Sequence, residues 1–408
     1  MATRGVERTA TRIIGFTSSE MDFQLMRMLG AATAGGGAPG EIFAARAKIA
    51  DDDPSAWPTV FAARAADLQR LAAEASGRGH GLTAAGHLLR ASSYFRSAEY
   101  FSDPFAEEGK RFGVSSRDTF VQSAAFLPHA IEPIDIPFAR VNLPGYFLRP
   151  AGGAKDGKTV VVLTGFDGTG EELYFQTAAD GLARGFNVLI AEGPGQMGCL
   201  RRNPNLLFRP DYEVPIGAIL DFALARTEVA PERLALYGIS FGGYFALRAG
   251  AHDRRIKALV ANSPIIDLFA YIRGFSPDEQ QANVAQDVTL DSVDKVPDQA
   301  MPRSMKLTFK WACRRFGVTS LSGWYDALKA YRVVHLDQIR CPMLGMVGVG
   351  EGDEARRQYD VCIASVGGPT TGRVFNVDEG ADMHCQLGNL PLSNAAIYDW
   401  LEETFGAR

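Results

Sequence analysis

Two periodicities run along this chain, and one gives way to the other near residue 135. Upstream, residues 57–75 and 82–101 set apolar side chains three and four apart, while Asp67, Arg70 and Glu74 share a polar face. That is the spacing of amphipathic helices, so the first third reads as helical. Its glycine-rich stretch at 32–41, ATAGGGAPGE, follows no strand and lacks the Lys-Ser/Thr ending of a phosphate cradle; it reads as a loop between helices. Downstream, short β-branched runs alternate with helical patterns, at 159–164 (TVVVLT), 187–191, 233–237, 258–261, 343–347 and 371–377. Continuous apolar strands separated by helices predict an α/β architecture, a mostly parallel sheet covered on both faces. Residues 264–336 break this rhythm with FSPDEQQANVAQD and LTFKWACRRFG, two helix-like pieces read as an insertion over the functional edge of the sheet. The expected organisation is a helical region at 1–134 and a catalytic domain at 135–408 carrying that insertion.

Length and composition narrow the class. A chain of 408 residues has room for two to three domains, or for one large domain with an elaboration. With 46% hydrophobic and 22% charged residues, it is not a disordered or fibrous chain. A formal charge of -5 offers no attraction to phosphate backbones or anionic lipid, so neither nucleic acid nor membrane is an expected partner. The first 30 residues are charged throughout and lack the apolar stretch of a signal peptide, and no later run reaches 18 apolar residues. A cytoplasmic protein is expected. Cys199, Cys313, Cys341, Cys362 and Cys385 are widely spaced with no C-x-x-C pair, which suggests neither a disulfide framework nor a zinc site.

The strongest chemical signal is Gly238-Ile239-Ser240-Phe241-Gly242-Gly243, placed after one predicted strand and before a helical stretch. G-x-S-x-G in that context is a sharp turn that exposes the serine hydroxyl beside the free N–H groups of a helix start, and it makes Ser240 the candidate nucleophile. A hydroxyl needs a base at neutral pH. Of six histidines, His384 lies beyond the last predicted strand, where a base following the order Ser, acid, His belongs. His80, His87, His129, His252 and His335 fit less well and read as packed or surface residues, with His80 or His87 as weaker substrate contacts. The acid is expected on the loop after 343–347, GVGEGDE, which offers Glu351 and Asp353; the count from Pro342 through Gly348 favours Glu351. Backbone amides of Phe166, on the loop GFDGTGEE, and of Phe241 are the expected oxyanion donors, with Asp167 beside them as a substrate contact. Glu171 and Glu172 begin a helix and read as capping residues, and GPGQMG at 193–198 reads as a tight turn. No metal or cofactor is expected.

The ordered set GFDGTGEELYF, EGPGQ, YGISFGGY and EGADMHCQLGN, together with RASSYFRSAEYF and NLPGYF upstream, resembles one branch of the α/β-hydrolase superfamily. That branch is the 2,6-dihydroxypseudooxynicotine hydrolase group, which also holds pigment-pathway hydrolases that shorten aromatic polyketides, and esterase-like members. The resemblance runs from about residue 15 to the end and implies an α/β-hydrolase fold with a helical N-terminal cap. It implies hydrolysis of a C–C bond next to a ketone, with Ser240, His384 and Glu351 or Asp353 in the matching positions. The family pattern more often has aspartate as the acid, and here the aspartate lies two residues past the counted position. Arg90 and Tyr94, four apart in the cap motif, are expected substrate contacts, and a homodimer through the helical region is a further implication.

The expected function is a metal-free serine hydrolase acting on a C–C bond of a small aromatic or polyketide-like substrate. A carboxylesterase, thioesterase or acyltransferase of secondary metabolism would use the same triad. From other classes stand a dehydratase or cyclase using His384 without an acyl-enzyme, and a non-catalytic binding protein that keeps the fold.

Overall fold

The structure, a computed structural model, describes residues 15–154, 156–274 and 287–406. The described chain falls into two compact units, 15–127 with 287–327 and 128–274 with 328–406.

The first unit is helical, with α1 (Ser19–Ala31), α2 (Pro39–Arg46), α3 (Trp57–Gly77), α4 (Gly81–Tyr100) and α5 (Glu107–Ser123). Local chemistry sets the starts: the Ser18 hydroxyl accepts from the Met21 amide at α1, and Pro39 opens α2, where its missing N–H costs nothing. The stretch ATAGGGAPGE is therefore a connection only in part, because its last three residues already belong to α2. On α3, Trp57, Phe61, Ala65, Leu68 and Ala72 are buried while Asp67, Arg70 and Glu74 are exposed, the division that the spacing predicts. Trp57 anchors the core: its ring centroid lies 4.8 Å from Phe101 and 5.0 Å from Phe61, and its indole N–H donates to the Ser97 hydroxyl at 2.9 Å.

Part of the segment expected as an insertion in the catalytic domain groups with this helical unit. LTFKWACRRFG lies in the helix Arg303–Phe316, whose Leu307 packs on the Trp57 core and whose Lys310 ammonium reaches Asp103 at 2.7 Å and Asp294 at 2.9 Å. FSPDEQQANVAQD lies outside the described residues apart from Asp287.

The second unit holds an eight-stranded sheet: β1 (Ala130–Phe138), β2 (Val141–Arg149), β3 (Thr159–Leu163), β4 (Asn187–Ala191), β5 (Leu234–Ile239), β6 (Ala258–Asn262), β7 (Met343–Gly348) and β8 (Thr370–Phe375). The order across the sheet is β1-β2-β4-β3-β5-β6-β7-β8. Every pair from β4 to β8 is parallel, and β2 is antiparallel to both β1 and β4. Residues of β3, β4, β5, β6 and β7 are buried throughout, as strands covered on both faces must be. The β1–β2 hairpin was not among the strands read from the sequence. Pro133, Pro137 and Pro144 interrupt its pattern, and a strand tolerates the missing N–H groups of Pro133 and Pro137 because β1 lies at the sheet edge.

Candidate active site

Ser240 stands between β5 and the helix Phe241–His252, with φ 60° and ψ −126°. A non-glycine residue holds such a conformation only when its surroundings impose it. Here the Ser240 amide donates to the Asn262 carbonyl at the end of β6, and the glycines allow the chain to double back. A Cβ on Gly238 would lie 1.9 Å from the Gly242 carbonyl oxygen, and one on Gly242 would lie 2.7 Å from that of Leu163. The residue expected as nucleophile is thus held at the carboxyl end of the sheet, half-buried, at a helix N-terminus.

The loops after β7 and β8 bring the other two expected residues to it. The Ser240 hydroxyl lies 2.8 Å from His384 Nε2, and His384 Nδ1 lies 2.6 Å from Glu351 Oε2. The two loops are joined directly: the Gly350 amide donates to the Asp382 carbonyl at 2.8 Å, and a Cβ on Gly348 would lie 2.1 Å from that same oxygen. Of the two acids the sequence offered, Glu351 is buried against His384, while Asp353 is exposed at the start of the helix Asp353–Ser365. Two further groups, outside any motif read from the sequence, join the acid. Ser263 Oγ donates to Glu351 Oε2 at 2.5 Å and the Tyr271 hydroxyl donates to the same oxygen at 2.9 Å, while the Gly348 amide donates to Oε1 at 2.9 Å. Ser263 directly follows β6, and that position was its one available signal; Tyr271 sits on the helix Leu268–Gly274, inside the segment read only as an insertion.

Burial opposes the charge on Glu351, yet His384 and the donors from Gly348 and Ser263 hold its pKa below the ordinary carboxylate value. Burial also disfavours the imidazolium of His384, but Cys385 and the Glu351 carboxylate outweigh it and raise the histidine pKa. The Tyr271 hydroxyl, desolvated and beside Glu351, is pushed well above its usual range and stays a neutral donor.

The loop after β3, expected to supply an oxyanion donor, packs on the serine. A Cβ on Gly165 would lie 2.7 Å from Ser240 Cβ and 2.8 Å from the Phe241 amide nitrogen. Phe166 and Asp167 follow, both half-buried, with the Phe166 ring stacked 6.1 Å from Phe208. The tight turn at 193–198 braces this loop: the Gln196 side chain donates to the Thr164 carbonyl at 2.6 Å and accepts from the Gly193 amide. Glu172 completes a capping box with Thr169, as expected for the helix start. Glu171 instead turns inward, accepting from the Tyr146 hydroxyl at 2.5 Å and pairing with Arg201 at 3.5 Å. Beside it Glu192 accepts from the Gly198 amide at 2.8 Å; desolvation and the Glu171 charge raise its pKa to about 7.

The remaining expected contacts lie in the helical unit. Tyr94 is fully buried, its hydroxyl donating to Glu41 at 2.9 Å and accepting from the Ala38 amide, and Arg90 lies 3.4 Å from the same carboxylate. The other five histidines have other partners or are exposed: His87 with Arg90, His129 with Tyr174, and His252 with the Arg248 carbonyl, while His80 and His335 face solvent.

Comparison with known proteins bears on the family and the fold. The profile of the prolyl oligopeptidase family matches residues 216–292, the stretch that contains Ser240. Hydrolase LUC6 of Fusarium sp is 31% identical over 96% of this chain and 98% of its own length. The 20-hydroxy-prefusarin hydrolase FUS2 of Gibberella moniliformis is 29% identical over the same shares. Among solved structures, that of 2,6-dihydroxy-pseudo-oxynicotine hydrolase superposes with a TM-score of 0.72 at 21% identity, covering 93% of this chain and 96% of that one, which is a likeness of fold. The chain belongs to the α/β-hydrolase superfamily, in the group of LUC6-like hydrolases, and is an enzyme of the serine-hydrolase class. Among the described residues no helix is long and apolar enough to cross a membrane.

Proposed function

We propose that this enzyme cleaves a C–C bond adjacent to a ketone in a small aromatic or polyketide-like substrate, by way of Ser240, His384 and Glu351, in the cytoplasm. The observation that carries the reading is the continuous hydrogen-bonded chain from Ser240 Oγ through His384 to Glu351, at 2.8 Å and 2.6 Å. The likeness to a hydrolase named for 20-hydroxy-prefusarin supports a small-molecule substrate.

In this mechanism neutral His384 takes the Ser240 proton as Oγ bonds to the carbonyl carbon. The amides of Phe166 and Phe241 receive the oxyanion, a contribution typically on the order of 3 kcal/mol per donor. Collapse of the oxyanion breaks the neighbouring C–C bond and expels carbon as an enolate or phenolate. Protonated His384 supplies the proton that this leaving group takes up. Water, deprotonated by the same ring, attacks the acyl-enzyme, releasing the acid and free Ser240. Glu351 stays ionised and holds the Nδ1–H tautomer throughout.

The test begins with intact mass after exposure to a small fluorophosphonate, which requires no knowledge of the substrate. Wild type is expected to take one adduct, absent from Ser240→Ala and His384→Ala. Matched pairs of β-diketones and esters with the same acyl part then separate the two chemistries: faster turnover of the ketone supports C–C hydrolysis, and turnover of the ester alone makes the enzyme a carboxylesterase. Activity unchanged in Ser240→Ala would remove the acyl-enzyme and leave the dehydratase or cyclase reading.

A further inference from the structure

Glu351 has more donors than a triad requires. A carboxylate offers about four lone-pair sites. Four donors gather here, unevenly: the Gly348 amide on Oε1, and Ser263 Oγ, the Tyr271 hydroxyl and His384 Nδ1 all on Oε2. The donors come from four separate places, namely the end of β7, the residue after β6, the helix Leu268–Gly274 and the turn after β8. The Tyr271 hydroxyl also lies 3.3 Å from His384 Nδ1, with its ring centroid 6.4 Å from that of the imidazole. It therefore sits at the junction of acid and base and touches both. Neither Ser263 nor Tyr271 has a part in the proton transfers proposed above.

We propose that Tyr271 and Ser263 are positioning residues that complete the donor shell of Glu351 and so fix the orientation and the basicity of His384. The proposal rests on the triad reading given above and adds to it a control on when His384 is able to act as base. The physical argument is one of competition. Each hydroxyl that donates to Oε2 shares the negative charge that would otherwise serve the imidazolium. Both hydroxyls therefore work against protonation of His384 while they stabilise the ionised carboxylate. Taking one away leaves Glu351 ionised but more basic toward the ring, so the imidazolium persists to higher pH. The titratable groups around the pair are Cys385 on the histidine's own turn, Asp382 buried two residues before it, and Tyr271 itself, which remains neutral.

The test reads the ring directly. Imidazole carbon resonances are followed against pH in the full chain for wild type, Tyr271→Phe and Ser263→Ala, with His384→Gln identifying the His384 signal among six histidines. Each variant is expected to move the His384 midpoint upward by on the order of one pH unit, the size that one hydrogen bond to a charged group carries. The rate of fluorophosphonate labelling in Tyr271→Phe is expected to fall about tenfold near neutrality and to approach the wild-type rate at alkaline pH. A His384 midpoint that is unchanged or lower in both variants overturns the proposal, as does a loss of labelling equal at every pH, which is what a merely structural role predicts. Should Tyr271→Phe fail to fold, Ser263→Ala decides by the same criteria. Failure of the triad reading is seen separately, as absence of a Ser240 adduct on wild type, because the imidazole titration needs no chemistry at the serine.

Discussion

A buried carboxylate keeps its charge only if its lone pairs are engaged, and that condition separates Glu351 from Asp353 two residues away. Glu351→Gln is expected to lower kcat/KM by about 10²- to 10⁴-fold, since an amide cannot support the Nδ1–H tautomer as a carboxylate does. Asp353→Asn, on an exposed first turn, is expected to leave kcat/KM within about twofold, because a solvated charge there does no more than favour the helix dipole. Steady-state kinetics on the two variants checks both. The raised pKa of His384 gives the pH dependence a definite sign. The base works when neutral, so the labelling rate and kcat/KM rise with pH, with a midpoint above the ordinary histidine value of 6.5. A pH profile of fluorophosphonate labelling with its midpoint at or below that value would contradict the environment described for the ring. The serine and the histidine were legible in the sequence because each occupies a position defined by its own loop, after β5 and after β8. For the acid, the count from Pro342 favours Glu351 over Asp353 in the loop GVGEGDE, and the folded chain separates the two by burying Glu351 against His384 and leaving Asp353 exposed.

Elements deliver these residues through close approach of backbone, and glycine is the means. Gly238→Ala would set a methyl group 1.9 Å from the Gly242 carbonyl oxygen, so the turn must open or the variant must unfold. A cost above about 2 kcal/mol in urea unfolding is expected, with loss of the Ser240 adduct. Gly40→Ala is the control: nothing lies within 4 Å of its added Cβ in the first turn of α2, and the change is expected to stabilise by about 0.4–1 kcal/mol, as alanine leaves the unfolded chain less freedom to lose. The strands of the parallel sheet were readable because both their faces are buried and their sequences run apolar without a break. The hairpin was not readable. Pro133 and Pro137 argue against a strand everywhere except at an edge, and whether a strand is an edge depends on its neighbours, not on its own residues.

At the scale of the molecule, two units each carry a core, so a single two-state unfolding transition is not the expected behaviour. Trp57→Ala, which removes the ring at the centre of the helical core, is expected to destabilise that unit by about 3–5 kcal/mol, read as a lower urea midpoint in its transition. What the sequence determined by itself was the alternation of period, the parallel α/β class, the strand-Ser-helix turn and the histidine after the last strand. These are local properties, set by residues within a few positions of one another. What tertiary structure decided was which partners meet: His384 reaches Ser240 across 144 positions, Tyr271 reaches Glu351 across 80, and residues 287–327 join helices that lie more than 160 residues earlier in the chain. No local pattern encodes such pairings. They follow from the order of strands in the sheet and from the packing of the helical core, where burial of distant apolar surface, not propensity, selects the neighbours.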